Sequence, residues 1–273
     1  MRMVSIASGS SGNCIYIGSD STHLLVDAGS SNKRIQQGLN EIGLTGNDVN
    51  GILITHEHSD HIKGLGVLSR KYEIPIYGTR ETLDEIAAAG SLGKFDKGLL
   101  TPVCPDLDFM VGDLTVKPFK IDHDAANPVA YRVQNGEKSV AVATDMGHFD
   151  QYIIDHLQGL DALLLESNHD VRMLETGPYP YYLKRRILGD HGHLSNENAG
   201  RLLNCVLHDR LKKILLGHLS KENNYEELAY ETVRLEIDEG DCPYGASDFS
   251  ISVASRRLVL GIFLAWILSR REI

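Results

Sequence analysis

Short apolar runs that stop at a polar or turn-forming residue recur along the chain, at residues 3–7, 14–17 and 24–26, then at 51–54, 115–121, 129–133, 139–144, 162–166 and 214–217. Runs of this length, rich in β-branched residues, predict strands. Stretches with apolar residues at helical spacing lie between them and predict helices over 33–42, 62–72, 151–157, 181–188, 196–208 and 225–239. Ser31 or Asn32 would cap the first helix and Gly43 would stop it. Strand-rich and helical segments are mixed throughout and the pattern runs through twice, which predicts an α/β fold.

The polar residues that end these runs carry the chemistry. Directly after 51–54 comes Thr55-His56-Glu57-His58-Ser59-Asp60-His61, three imidazoles and a free carboxylate within six positions. Alternate residues of an extended segment share a side, so His56 and His58 can grip one ion as the strand ends. A turn into the helix over 62–72 would swing Asp60 and His61 toward a second ion. A borderline metal such as zinc accepts nitrogen and carboxylate oxygen alike. Surface histidines are the bland alternative, but three of them with an aspartate behind a strand select the metal reading.

This pattern resembles the HxHxDH signature of the metallo-β-lactamase fold superfamily. Later motifs follow in the family's order: Phe119-Lys120-Ile121-Asp122-His123-Asp124, Val140-Ala141-Val142-Ala143-Thr144-Asp145 and Ile214-Leu215-Leu216-Gly217-His218. The resemblance implies an αββα four-layer sandwich, two sheets face to face with helices outside and metals at one edge. It also implies a ligand set: His56, His58 and His123 for one ion, Asp60, His61 and His218 for a second, and Asp145 bridging them. Asp27 would sit behind the histidine loop and orient ligands through hydrogen bonds, with a turn-forming aspartate as the alternative. Within the superfamily, Ser8-Gly9-Ser10-Ser11-Gly12-Asn13, Glu166-Ser167-Asn168-His169-Asp170, Gly192-His193-Leu194-Ser195-Asn196 and Gly217-His218-Leu219-Ser220-Lys221-Glu222-Asn223-Asn224 resemble the YycJ/WalJ group of bacterial exonucleases. That resemblance implies degradation of DNA from the 5′ end, with single strands or 5′ ends as partner, and a link to mismatch repair.

Composition changes the picture in three places. First, the 273 residues show no linker or low-complexity tract, which predicts one hydrolase domain over 1–273. The opening residues lack a signal-peptide pattern, which predicts a cytoplasmic protein, and four scattered cysteines without a CxxC pair predict free thiols. Second, the net charge of −10 excludes a protein that coats nucleic acid by bulk electrostatics. It leaves room for an enzyme that grips a strand end, with Lys184, Arg185, Arg186 and Lys221 receiving phosphates; a solvated helix face is the other reading of Lys184 to Arg186. Third, the apolar segment 258–268 is shorter than the roughly 20 residues a membrane span needs. It predicts a closing strand or helix, or a contact between copies in a homo-oligomer, and no stable membrane insertion.

Two divalent ions, zinc or manganese with iron also fitting, would share a hydroxide and polarise a phosphoryl oxygen for in-line attack. Asp60 is the metal ligand on which activity would depend. His193, at the entrance of a helix that Ser195 or Asn196 would cap, is the candidate proton donor to the leaving oxygen; phosphate binding or a capping role are its alternatives. Asn168, His169, Ser195 and Lys221 are candidate substrate contacts. The favoured function is a metal-dependent 5′-to-3′ DNA exonuclease. A hydrolase of small phosphodiesters or thioesters, and a catalytically silent metal-bound interaction protein, are the alternatives.

Overall fold

A computed structural model describes residues 1–94, 96–254 and 260–263. The amino-terminal half opens with β1 (Arg2–Ala7), β2 (Cys14–Gly18) and β3 (His23–Val26), followed by α1 (Asn32–Glu41), which the Ser31 hydroxyl caps by accepting from Arg34 N–H. Then come β4 (Gly51–Leu53), α2 (Ser59–Ile62), α3 (Leu65–Tyr72), β5 (Ile76–Thr79), α4 (Arg80–Ala88) and β6 (Leu100–Val103). The remainder supplies β7 (Phe109–Val111), β8 (Leu114–Lys120), β9 (Val129–Asn135), β10 (Lys138–Ala143), α5 (Gln151–Leu157) and β11 (Ala162–Glu166). It continues with α6 (Val171–Thr176), α7 (Tyr181–Leu188), α8 (Asn196–Val206), β12 (Lys213–Gly217), α9 (Glu226–Asp238), β13 (Ser250–Val253) and β14 (Leu260–Phe263).

The strands form two seven-stranded sheets, ordered β14-β1-β2-β3-β4-β5-β6 and β13-β12-β11-β10-β9-β8-β7. In the first, β1 to β3 run antiparallel and β3 to β6 parallel. The second repeats this plan, with β10 to β13 parallel and β7 to β10 antiparallel. Period-two alternation sorts each strand's side chains onto two faces. Leu24, Val26 and Leu53 meet Val116, Tyr131, Val142, Leu164 and Leu215 between the sheets. Leu25, Ile52 and Ile54 face outward onto Ile35 and Leu39 of α1 and Leu65 and Leu68 of α3. Leu163, Leu165, Ile214 and Leu216 face outward onto α8 and α9, meeting Leu202, Leu203, Val233 and Ile237. Three apolar layers therefore separate helix, sheet, sheet and helix, the αββα sandwich expected. Burial on both faces is why the central strands read as unbroken apolar runs.

Two expectations change. The helix expected over 62–72 starts instead at Leu65, after the separate turn α2 that ends at Ile62, because Gly64 lies against the 28–30 loop: its N–H donates to Ala28 O at 2.7 Å, and a Cβ there would overlap Ser30 O. The elements α4, α6, β5, β6, β7 and β13 are additional; the edge strands β6 and β7 have few buried residues, so they carry little apolar periodicity. Of the apolar segment 258–268, residues 260–263 form β14, which pairs antiparallel with β1, and the rest lies outside the described residues. Among the described residues, no helix is long and apolar enough to cross a membrane. The four cysteines are free.

Candidate metal centre

The parallel strands of both sheets present their carboxyl ends to one edge, the place where open α/β sheets gather ligands. Asp27 follows β3, the histidine loop follows β4, Asp145 lies two residues past β10, Glu166 ends β11 and His218 follows β12. Asp27, Asp145 and His218 all take left-handed backbone conformations, with φ of 62°, 61° and 56°. For a residue with a Cβ this conformation costs about 1–2 kcal/mol, and such strain persists where the surroundings over-determine it. Three of the five such non-glycine residues among those described fall in this cluster.

The structure brings all seven residues of the expected ligand set together. Donor atoms of His56, His58 and His123 lie within 4.8 Å of one another, and so do those of Asp60, His61 and His218. Asp145 stands between the groups: its Oδ2 is 3.3 Å from His61 Nε2, and its Oδ1 is 3.5 Å from His218 Nε2 and 3.8 Å from His123 Nε2. Asp60 Oδ2 lies 3.5 Å from His218 Nε2 and 3.6 Å from His61 Nε2.

The outer nitrogens of the rings are held from behind. His61 Nδ1 meets Asp27 Oδ2 at 2.7 Å, and Thr55 donates its N–H and hydroxyl to the same carboxylate, so Asp27 supports the histidine loop as expected. His56 Nδ1 lies 3.0 Å from the Thr55 hydroxyl, His123 Nδ1 3.0 Å from Gly192 O, and His218 Nδ1 2.9 Å from Glu166 Oε1. These contacts turn the four Nε2 atoms inward. His58 differs, offering Nδ1, which is 3.3 Å from His123 Nε2. Partners of this kind orient metal-binding imidazoles and raise their basicity.

Electrostatics follow from this geometry. Burial lowers the His61 pKa, but the Asp145, Asp27 and Asp60 carboxylates outweigh it and raise it to about 9. His56 is buried among four other imidazoles and is pushed well below the usual histidine range. Its Nε2 is buried without a hydrogen-bond partner, which is rare for a buried polar atom. A cation answers that need. Nitrogen and carboxylate donors without a thiolate fit divalent metal ions.

The residues outside this set divide. His193, 20% exposed, places Nδ1 2.9 Å from Glu166 Oε1 and 3.5 Å from Asp145 Oδ1, so it borders the cluster. Asn168 is buried and donates to His218 O at 2.9 Å. Ser195 is buried and its hydroxyl caps α8, while its backbone bridges to His169. His169 is buried with both ring nitrogens unpartnered, and burial lowers its pKa to about 4. Lys221 is 74% exposed and pairs with Glu222 at 3.6 Å.

Glu166 is the residue that sequence reasoning passed over. Fully buried, it accepts from Met146 N–H and Leu194 N–H and holds both His193 and His218. Its signal was a carboxylate ending an apolar run, the same signal as Asp27. The Ser8–Asn13 loop is likewise tied in: Ser8 Oγ accepts from His218 N–H at 2.8 Å, and Asn13 Nδ2 lies 3.1 Å from His61 Nε2. Gly29 completes that loop's fit, since a Cβ there would overlap the Asp60 carbonyl. Gly29→Ala is expected to displace the Asp60–His61 turn, costing about 1–3 kcal/mol in urea unfolding and lowering metal content by elemental analysis. Unchanged metal content would sink that account.

Comparison with known proteins agrees with this architecture. The family model described as "Beta-lactamase superfamily domain" matches residues 22–216. The chain is 43% identical over 234 residues to "Exodeoxyribonuclease YycJ" of Bacillus anthracis, covering 86% of this chain and 88% of that one. It is 42% identical over 246 residues to "Exodeoxyribonuclease WalJ" of Streptococcus pneumoniae serotype 2, covering 90% and 91%. The crystal structure of Zn(2+)-bound PqqB from Methylobacterium extorquens shares the fold, with a TM-score of 0.70 over 95% of this chain and 99% of its own at 16% identity. With the sandwich, the cluster at its edge and this identity along most of its length, the chain belongs to the beta-lactamase superfamily and, within it, to the group of the YycJ and WalJ proteins.

Proposed function

We propose that the chain is a metal-dependent DNA exonuclease that removes nucleotides from the 5′ end. The observation that carries this reading is the pair of donor groups with Asp145 standing between them, in a chain 42–43% identical to relatives named exodeoxyribonucleases. In this reading His56, His58 and His123 would hold one zinc or manganese ion and Asp60, His61 and His218 a second, with Asp145 within reach of both groups. Bound there, such ions supply charge to a phosphoryl oxygen and lower the pKa of a coordinated water. His193 has Nδ1 committed to Glu166, which leaves Nε2 to pass a proton to the leaving oxygen. His169, beside Asn168 and Ser195, is the buried polar contact available to a bound nucleotide.

The test is digestion of a 5′-labelled and a 3′-labelled single-stranded DNA with added manganese or zinc. Mononucleotides are expected first from the 5′ label, with Asp60→Ala abolishing release and His193→Ala lowering kcat about 10²–10⁴-fold. Intact DNA in the presence of protein with metal confirmed bound would overturn the reading in favour of small phosphodiesters or thioesters.

A further inference from the structure

We propose that the arm formed by α6 and α7, residues 171–188, is a docking platform for single-stranded DNA. Tyr181 and Tyr182 stack on bases and Arg185 meets the phosphate backbone. The inference rests on the nuclease reading above and describes how that same site receives a strand.

Helix α7 has no buried residue. Surface helices normally bury one apolar stripe, so hydrophobic packing does not explain why it stands where it does. It is held instead by polar contacts: Lys184 Nζ donates to Glu175 O and Gly177 O, each at 2.7 Å, and Arg186 pairs with Asp124. Tyr181 and Tyr182 are each 75% exposed, more than any other large apolar side chain among the described residues. Aromatic rings held open on a rigid helix are what sequence-tolerant single-strand binders use, because every base has a face to stack.

Charge points to the same partner. The arm carries Arg172, Lys184, Arg185 and Arg186 against one carboxylate, Glu175, in a chain whose net charge is −10. Lys184 and Arg186 are spent on holding the arm, which leaves two exposed guanidinium groups for phosphate, Arg172 and, on the tyrosines' own helix, Arg185. The arm also leads into the metal centre. Asp124, the partner of Arg186, has Oδ1 3.4 Å from His123 Nε2, and Ile187 O accepts from His193 N–H at 3.0 Å. The eight residues of α7 extend about 12 Å, the length of three to four stacked nucleotides at about 3.4 Å each. Tyr181 and Tyr182 lie six and five residues before Ile187, so about 7–9 Å of helix separates them from the end that meets His193.

The experiment is fluorescence anisotropy of a labelled single-stranded dodecanucleotide, whose phosphorothioate linkages resist digestion, with the full metal-loaded chain. Tyr181→Ala/Tyr182→Ala is expected to raise Kd at least about tenfold with an unchanged salt slope, and Arg185→Ala to reduce that slope by about 1. Tyr181→Trp/Tyr182→Trp should bind as the parent does, and since both rings are exposed the thermal midpoints should match. In digestion, the alanine pair should raise KM for the dodecanucleotide and leave dinucleotide cleavage unchanged. The proposal is overturned if the parent does not bind, if the alanine pair binds equally well, or if the pair alters only self-association in sedimentation. Normal digestion with no effect of the tyrosines would remove the arm and leave the nuclease. Tyrosine-dependent binding without digestion of any labelled strand would do the reverse.

Discussion

Asp145→Ala is expected to leave a chain that binds less metal and has lost about 10³-fold or more in kcat/KM on DNA. The carboxylate lies between both donor groups, 3.3 Å from His61 of one and 3.8 Å from His123 of the other. Its removal takes an oxygen from each group at once and leaves facing imidazoles without the charge that holds them together. Several kcal/mol of transition-state stabilisation depend on such a centre, and each 1.36 kcal/mol is a factor of ten in rate. Asp145→Asn separates charge from backbone, because asparagine accepts the left-handed conformation that Asp145 adopts at φ 61° more readily than alanine does. Both variants should lose metal by elemental analysis, while Asp145→Asn should unfold at a higher urea concentration than Asp145→Ala. Full metal content and activity in the alanine variant would refute the shared role of this carboxylate.

Glu166→Ala is the second large effect. This buried carboxylate accepts four hydrogen bonds, from Met146 N–H at 2.9 Å, Leu194 N–H at 3.1 Å, and His193 and His218, each at 2.9 Å. The imidazoles hold its pKa well below the usual carboxylate range in spite of burial. Alanine would strand two buried backbone donors at about 1–3 kcal/mol each, and would free two rings at once. Loss of a partner behind a metal-binding imidazole typically costs about 10–100-fold in metal affinity or activity. The expected result is therefore a double penalty, in urea midpoint and in metal titration. Glu166→Gln fills the same volume and isolates the second penalty, since its amide cannot accept on both sides. A glutamine variant with parental metal affinity and kcat would show that His193 and His218 are held by something else.

These two residues also show how far the chain is legible before it folds. The histidine loop could be read because its information is local: alternation along an extended segment brings His56 and His58 to one side whatever surrounds them. Strand ends were readable for the same reason, since apolar runs stop where Asp145 and His218 follow. The four-layer architecture rested on resemblance to a family, and the continuous runs in the central strands are its local counterpart, because burial on two faces removes the polar alternation. The break at 63–64 between α2 and α3 was not readable. It is decided by the closeness of Gly64 to the 28–30 loop, a contact between distant segments.

By itself, then, the sequence determined nine of the described strands and the principal helices through patterns a few residues long, and its resemblance to a family supplied the seven residues that could share a metal centre. Tertiary structure alone decided what stands behind them. Ser8 meets His218 across 210 positions of chain, and Glu166 reaches His193 and His218 across 27 and 52. No periodicity encodes those separations, because they follow from which strands become neighbours in the sheet and where each one ends. The same holds for the left-handed backbone at Asp27, Asp145 and His218, a strain that local preference opposes and the assembled sandwich imposes.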